Sequence, residues 1–211
     1  MQNDKTDLLQ EVAEYYTSKL ADHGETPRGV DWNGEEGQTS RFEHLCEIVD
    51  TSSHFSINDL GCGYGALYDF LCRKSEGFSY SGIDVSESMI RAAEQRYKDK
   101  PEARFVHSSE PDQVADYGVA SGIFNVRFGR SDDQWRCYLE TTLELLDRTS
   151  RVGFAFNCLT SYCDADKMRD YLYYADPCVL FDLCKRRYSR NVALLHDYGL
   201  YEFTVLVRKQ L

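Results

Sequence analysis

The sequence has 211 residues, of which 42% are hydrophobic and 13% aromatic. This composition excludes a disordered chain and is sufficient for one large domain with its own core. The 24 Lys and Arg residues are outnumbered by 35 Asp and Glu, so the formal net charge is −11. A negative field of this size repels phosphate backbones and therefore disfavours a nucleic-acid partner.

Targeting patterns and cysteine spacing restrict the expected cellular location and the expected state of the thiols. Charged residues interrupt the first twenty positions, unlike a signal peptide, and the longest apolar stretch, residues 152–159, is too short to cross a membrane. The eight cysteines contain no C-x-x-C pair and no zinc-type spacing with histidine, although an even number would also suit a disulfide framework in a secreted chain. We therefore expect a cytoplasmic protein with reduced core thiols, no metal and no membrane association.

The N-terminal part of the chain has the pattern of a helical cap. Apolar positions in residues 8–20 recur at helical spacing and predict an amphipathic first helix. The polar, glycine-containing run 22–39 is typical of a lid, a binding loop or a linker. Ser40 and Glu43 form a capping-box pattern, which predicts that a second helix starts there. We expect residues 1–53 to form a helical cap or lid.

Short apolar runs then alternate with helical patterns, as is typical of strand–helix units stacked into a mostly parallel sheet. Five strands are predicted, near residues 56–60, 78–84, 103–107, 117–124 and 151–157. Helices fill the gaps between them. We expect residues 54–211 to form one main domain of the α/β class.

The C-terminal elements complete this prediction. The clearest helix covers about 132–147 and starts with a capping box formed by Ser131 and Gln134. Beyond a helix after residue 176, the runs 191–198 and 201–208 flank a turn at Gly199 and predict an antiparallel pair. The whole pattern predicts a Rossmann-like three-layer sandwich with a seven-stranded, mostly parallel sheet that ends in a C-terminal antiparallel hairpin.

A glycine-rich turn follows the first strand. Gly61, Gly63 and Gly65 allow positive φ and close backbone approach to a ligand, at the point where a helix N-terminus offers unpaired N–H groups. Asp84 ends the next strand 19 residues after Gly65, a distance at which an acid can accept both hydroxyls of a ribose. The turn alone also satisfies a dinucleotide fingerprint, so it does not select one cofactor.

Two segments together indicate a family. Asp59–Gly65 and Gly82–Ile90 resemble motifs I and II of the class I S-adenosylmethionine-dependent methyltransferases, and the resemblance extends from about Phe55 to Arg208. It implies S-adenosylmethionine as cofactor, S-adenosylhomocysteine as product, and an in-line methyl transfer that needs no metal. The cofactor residues that it implies are Asp59 for the amino group, Gly61, Cys62 and Gly63 along the methionine half, Asp84 for the ribose, and Val85 and Met89 beside the adenine.

The remaining strand ends supply further candidates. Where the family often has an Asp after the third strand, this chain has Ser109, so we expect Ser108 or Ser109 to contact the adenine, unless the segment is a plain turn. The predicted fourth strand ends in the segment 120–125, which contains Ser121 and Asn125 and lies where open parallel sheets present their ligand crevice. Asn125 would face that crevice. His196 is the leading candidate for a general base, and a solvated or core histidine is the alternative.

Aromatic residues outside the sheet are candidates for the acceptor pocket. Tyr16 and Trp32 could form an aromatic wall of a lid that excludes water, and Arg41 could pair with the cofactor carboxylate. Tyr174 belongs to a second aromatic cluster that could line the acceptor site. Ordinary packing and a solvated arginine are the alternatives. A lidded, aromatic pocket on an acidic protein favours a small-molecule acceptor.

Two other functions fit the same glycine turn. A nicotinamide-dependent reductase of the short-chain type needs a Tyr-x-x-x-Lys pair after the fourth strand, but here the pair is Tyr15 and Lys19, before the turn. A non-catalytic binding module that keeps the fold is the second alternative. The identity of the acceptor, the atom that is methylated and the oligomeric state are left open by the residues.

Overall fold

A computed structural model describes residues 2–209, with side chains from residue 7 onward. Met1, Gln210 and Leu211, which end the predicted ranges 1–53 and 54–211, lie outside the described residues. The helices are α1 (Gln2–His23), α2 (Glu35–Cys46), α3 (Ala66–Lys74), α4 (Glu87–Arg96), α5 (Asp132–Arg148) and α6 (Pro177–Arg187), and a 3₁₀ turn covers Pro27–Val30. The strands are β1 (Phe55–Leu60), β2 (Phe78–Asp84), β3 (Ala103–His107), β4 (Ala115–Ala120), β5 (Ser150–Leu159), β6 (Asn191–Leu195) and β7 (Glu202–Arg208).

The strands form one sheet in the order β3-β2-β1-β4-β5-β7-β6. Strands β1 to β5 pair in parallel, whereas β7 lies antiparallel to both β5 and β6. The predicted fold class is therefore confirmed, including the C-terminal antiparallel pair. The strand order reverses between β1 and β4, and in open α/β sheets such a reversal creates a ligand crevice beyond the carboxyl ends of the strands.

Alternating side chains along the strands bury both faces of the sheet. Ile57, Tyr80 and Tyr117 belong to one buried cluster, which also contains Phe42 of α2 and Leu71 of α3. The opposite cluster combines apolar residues of the strands with those of α5 and α6: Leu60, Ile83, Phe154, Phe156, Leu139, Leu143, Leu180 and Cys184. The two clusters and the sheet between them make the three layers.

One crossover lacks a helix. The connection from β3 to β4 has only seven residues, 108–114. The sheet face beneath it is polar: the Asn58 amide donates to the Gln113 carbonyl at 2.9 Å, and the Arg104 guanidinium donates to the Asp112 carboxylate at 2.6 and 2.8 Å. Polar side chains on the strands thus replace the apolar contacts that a crossover helix would supply.

The second helix begins earlier than the sequence predicts. It starts at Glu35 after Gly34, so the predicted capping residue Ser40 lies inside the helix. Acidic Glu35 and Glu36 occupy the first turn, where negative charge is favourable. The preceding polar run is also shorter than expected, because the 3₁₀ turn interrupts it. By contrast, the capping box at the start of α5 is present as predicted.

Other boundaries and exposures also differ from the predictions. The fourth strand ends at Ala120 rather than near residue 124, because Gly122 has φ of 75° and turns the chain out of the strand. Strand β6 ends at Leu195 rather than at residue 198. The eight cysteines are free thiols: Cys62, Cys158 and Cys184 are buried and Cys46 packs against the core, whereas the expectation of a core position is wrong for the exposed Cys72, Cys137 and Cys178. Within residues 2–209, no helix combines the length and apolarity needed to cross a bilayer.

Candidate active site

The glycine turn joins β1 to α3 and is held against β2. Gly61, Gly63 and Gly65 have φ of 79°, 55° and 83°, which side chains rarely allow. The Gly61 N–H donates to the Ile83 carbonyl at 2.7 Å. A Cβ on Gly63 would come within 2.8 Å of a methyl group of Val30. Glycine at this position therefore leaves room for Val30, and Gly61 and Gly63 present backbone to the cavity described below.

Asp84 ends β2 beside this turn. Its Oδ2 accepts the Gly63 N–H at 2.9 Å, and its Oδ1 accepts the Ser86 N–H at 2.8 Å. Burial raises the pKa of Asp84, and the two backbone hydrogen bonds oppose that rise. Each carboxylate oxygen keeps lone-pair capacity for a further donor. The side chain can thus accept two hydroxyl groups of one ligand.

Asp59 is a second buried acid, near the end of β1. Its carboxylate accepts the Tyr80 hydroxyl at 2.6 Å. Burial raises the pKa of Asp59 to about 7, while the Tyr80 hydrogen bond lowers it. This group can therefore change charge near neutral pH, within the wall of the cavity described below.

Asp31, which adopts the left-handed conformation with φ of 62°, joins α1 to the segment after the 3₁₀ turn. Its carboxylate accepts the Tyr15 hydroxyl at 2.7 Å and the Lys19 ammonium at 2.6 Å. In addition, the hydroxyls of Thr17 and Ser86 lie 2.8 Å apart. These contacts hold α1 over the N-terminus of α4, next to Asp84.

Trp32 and Arg41 form the other side of the cap. A Cβ on Gly122 would lie 2.4 Å from the Trp32 ring, so the indole packs directly on the backbone after β4. The Arg41 guanidinium lies 3.9 Å from the Trp32 ring centroid and donates to the Glu202 carboxylate at 2.8 and 2.6 Å. Arg41 was predicted to pair with the cofactor carboxylate, but the structure gives it a protein partner and places it outside the cavity wall.

A cavity opens at the carboxyl ends of the strands, between the sheet and the cap. It encloses about 1120 Å³ of empty space, including its open mouth. Ten of the predicted cofactor residues line it: Asp59, Gly61, Cys62, Gly63, Asp84, Val85, Met89, Ser108, Ser109 and Ser121. The predicted acceptor residues Tyr16 and Trp32 also line it. The structure thus brings the strand ends and the cap to one place.

Asn125 and Tyr174 do not line this cavity, contrary to expectation. The Asn125 Oδ1 accepts the Leu159 N–H at 3.2 Å, because the chain turns before this residue and directs the side chain to β5. The Tyr174 hydroxyl accepts the Arg169 N–H at 3.0 Å. Both side chains therefore join segments of the fold instead of facing the crevice.

His196 is also not among the residues that line the cavity. It follows β6, and its ring lies 5.9 Å from the ring centroids of Tyr162 and Phe203. The predicted strand would have continued past this residue, whereas β6 has already ended at Leu195. The geometry does not support the predicted role of His196 as a base at the cavity.

Two walls of the cavity, formed by α1 and α5, are not predicted from the sequence. Leu9 and Val12 line it together with Tyr16, and their spacing of three and four residues on α1 is the signal that could have identified this face. Helix α5 contributes Tyr138, Thr142 and Leu145. Burial raises the pKa of Tyr138 to about 12, so its phenol is neutral at physiological pH.

These features define an α/β protein with a nucleotide-type crevice at its sheet reversal. A sequence model of the family described as "Methyltransferase domain" matches residues 58–149. The protein named "Putative methyltransferase Rv1506c", from Mycobacterium tuberculosis, is 62% identical over 162 residues, which are 77% of this chain and 98% of that relative. The chain therefore belongs to the class I S-adenosylmethionine-dependent methyltransferase family.

Solved structures share the fold at low sequence identity. Magnesium protoporphyrin IX methyltransferase from Synechocystis PCC 6803, with bound S-adenosylmethionine, superposes with a TM-score of 0.67 at 14% identity, over 98% of this chain and 97% of that chain. The N-methyltransferase NodS from Bradyrhizobium japonicum WM9, in complex with S-adenosylhomocysteine, has a TM-score of 0.64 at 16% identity, over 94% and 98% of the two chains.

Proposed function

We propose that this methyltransferase uses S-adenosylmethionine to methylate a small-molecule acceptor and releases S-adenosylhomocysteine. The observation that carries the proposal is the buried Asp84 carboxylate, which faces the cavity between the glycine turn and the N-terminus of α4. Similar folds crystallised with the cofactor or its product support the choice of ligand.

The residues around Asp84 fit the parts of this cofactor. Two carboxylate oxygens with free lone pairs suit the two hydroxyls of a ribose. The side chains of Val85 and Met89 are apolar neighbours for a base, and the hydroxyls of Ser108 and Ser109 can accept from an amine. The glycine turn leaves room for the amino-acid half.

When bound, the cofactor supplies a methyl group on a cationic sulfur. The chain would act mainly by positioning the reactants in line and by excluding water. Positioning of this kind can lower the activation free energy by up to about 7–11 kcal/mol. Asp59 adds an electrostatic contribution, because its pKa of about 7 makes it increasingly anionic above neutral pH. An anion there favours positively charged groups of the cofactor.

The cap supports a small acceptor. Residues of α1 and Trp32 line the cavity on the side opposite to the strand ends, so the space left for an acceptor is bounded on two sides. The net charge of −11 disfavours nucleic acid as the acceptor. A cytoplasmic location and the absence of a metal remain predictions.

Calorimetry tests the cofactor assignment. We expect S-adenosylhomocysteine to bind the wild type, and we expect Asp84→Asn to weaken that binding at least tenfold, because an amide accepts with one oxygen only. Asp133→Asn, an exposed acid on α5, is the matched control and should bind normally. Tight NADH binding without binding of S-adenosylhomocysteine would overturn the proposal in favour of a dinucleotide enzyme.

Turnover tests the reaction. Small amines, phenols, thiols and alcohols should be screened for formation of S-adenosylhomocysteine, with the Asp84→Asn variant as a blank. Binding of the cofactor without turnover of any acceptor class, including a lysate fraction of small molecules, would instead support a non-catalytic module.

A further inference from the structure

One part of the cavity wall comes from the cap and from the chain after β4 rather than from the glycine turn. We define the acceptor chamber by its lining residues Leu9, Val12, Trp32, Ile123 and Val126. These five side chains belong to α1, to the segment after the 3₁₀ turn and to the chain after β4. All five are apolar or aromatic, and the described residues of the same segments add only the hydroxyls of Tyr16 and Ser121 to the wall, so this part of the cavity favours a mainly hydrophobic guest.

Contacts outside the chamber fix its walls relative to one another. The carboxylate of Glu11, next to Val12, forms an ion pair with Arg130. The rings of Tyr15 and Phe128 meet edge to face at 5.5 Å between centroids. Helix α1 is thus held against the chain that follows β4, and the chamber lies between the two.

Charges are distributed unevenly around the cavity. Among the described residues that line it, the charged ones are Asp59 and Asp84, both at the glycine turn, and none is Lys, Arg or His. Neighbouring cations have acidic partners that do not line the cavity: Arg41 pairs with the buried Glu202 of β7, and Lys19 pairs with Asp31. An anionic group in the chamber would lose its hydration without gaining a cationic partner, which is strongly unfavourable.

We infer that the methyl acceptor is an uncharged, mainly aromatic or hydrocarbon molecule, and that the chamber rejects acceptors that carry a carboxylate, sulfonate or phosphate. The inference rests on the proposed function, because the chamber is an acceptor site only if the glycine-turn half holds the methyl donor. Trp32 and Tyr16 provide aromatic surface for such a guest.

A matched pair of fluorescent probes tests this charge selection. N-phenyl-1-naphthylamine is neutral, and 8-anilinonaphthalene-1-sulfonate has the same rings with one added anion. Each is titrated into protein saturated with S-adenosylhomocysteine. We expect the neutral probe to bind at least tenfold more tightly, and equal or tighter binding of the sulfonate would overturn the inference.

Variants at Val12 locate the probes in the chamber. Val12→Lys adds a cation to the wall, and Val12→Met adds similar length without charge. We expect the sulfonate to bind about tenfold more tightly to the Lys variant than to the Met variant, and the neutral probe to bind less tightly to the Lys variant. Leu9→Lys and Leu9→Met repeat the comparison if a Val12 variant fails to fold.

The two possible failures can be told apart. If S-adenosylhomocysteine does not bind in calorimetry, the proposed function is wrong. If it binds but the sulfonate responds equally to the Lys and Met variants, the charge selection of the chamber is wrong while the proposed function stands.

Discussion

Replacing Arg41 with Met should destabilise the protein far more than the loss of an ordinary surface arginine. The Arg41 and Glu202 side chains are only 11% and 1% exposed, and two hydrogen bonds of 2.8 and 2.6 Å join them. Removing one partner of a buried pair leaves an uncompensated charge, which costs about 3–5 kcal/mol. Loss of the Trp32 contact adds roughly 0.5–2 kcal/mol.

The double variant Arg41→Met/Glu202→Met separates the charge effect from packing. Because both charges are removed, the volumes are similar and only the Trp32 contact remains lost, its free energy of unfolding should lie within about 2 kcal/mol of the wild type. The coupling free energy from the double-mutant cycle should then exceed about 3 kcal/mol.

Urea unfolding at pH 7 measures these free energies, and a constant slope with denaturant would show that the extent of unfolding is unchanged. Arg91→Met removes an exposed i,i+4 pair with Glu87 and should leave the urea midpoint unchanged within error. Additive effects of the two single substitutions would refute the reasoning, as would a double variant that is less stable than either single one.

Three further changes test the site. Asp59→Asn should remove a pH dependence: the pKa of Asp59 is raised in the folded state, so its contribution to stability is present at low pH and is lost as pH rises from about 4 through about 7. The urea concentration at the unfolding midpoint should therefore rise for the variant, relative to the wild type, as pH increases from 5 to 8. A difference between the two midpoints that does not change with pH would contradict this. Gly122→Ala should cost about 1–3 kcal/mol, because φ is 75° and the new Cβ would meet Trp32. Gly129→Ala, with open space around it, is the matched control for thermal melts. His196→Ala should keep its turnover with any acceptor found by screening, and a large loss of kcat at unchanged KM would restore its role as a base.

The glycine turn and Asp84 could be predicted from the sequence because their geometry is local. A strand, three glycines and a helix follow one another directly, and the parallel pairing of β1 with β2 brings the two strand ends together. The hydrophobic pattern identifies both strands, and their parallel pairing places Asp84 beside Gly63 without information from more distant parts of the chain.

The errors concern residues whose environment is set by distant parts of the chain. Arg41 and Glu202 are 161 positions apart, and nothing near Arg41 in the sequence indicates a buried acid. For Asn125 and His196 the predicted strand ends are wrong. Strands β4 and β6 stop a few residues earlier than predicted, so neither side chain lines the cavity. Strand ends are poorly defined by propensity, yet they decide which side chains face the crevice.

The prediction that helices fill the gaps between the strands is wrong for the connection from β3 to β4, although the side chains of the neighbouring strands carry a signal for it. Central strands of a parallel sheet are normally apolar on both faces, but β1 presents Ser56 and Asn58, and β2 presents Ser79 and Ser81, on the face opposite to Ile57 and its cluster. Alternation of this kind indicates a face that no helix covers. The same face becomes apolar at Leu60 and Ile83, which join the buried cluster of α5 and α6, so the polar alternation marks only the part of the face that lies under the short connection.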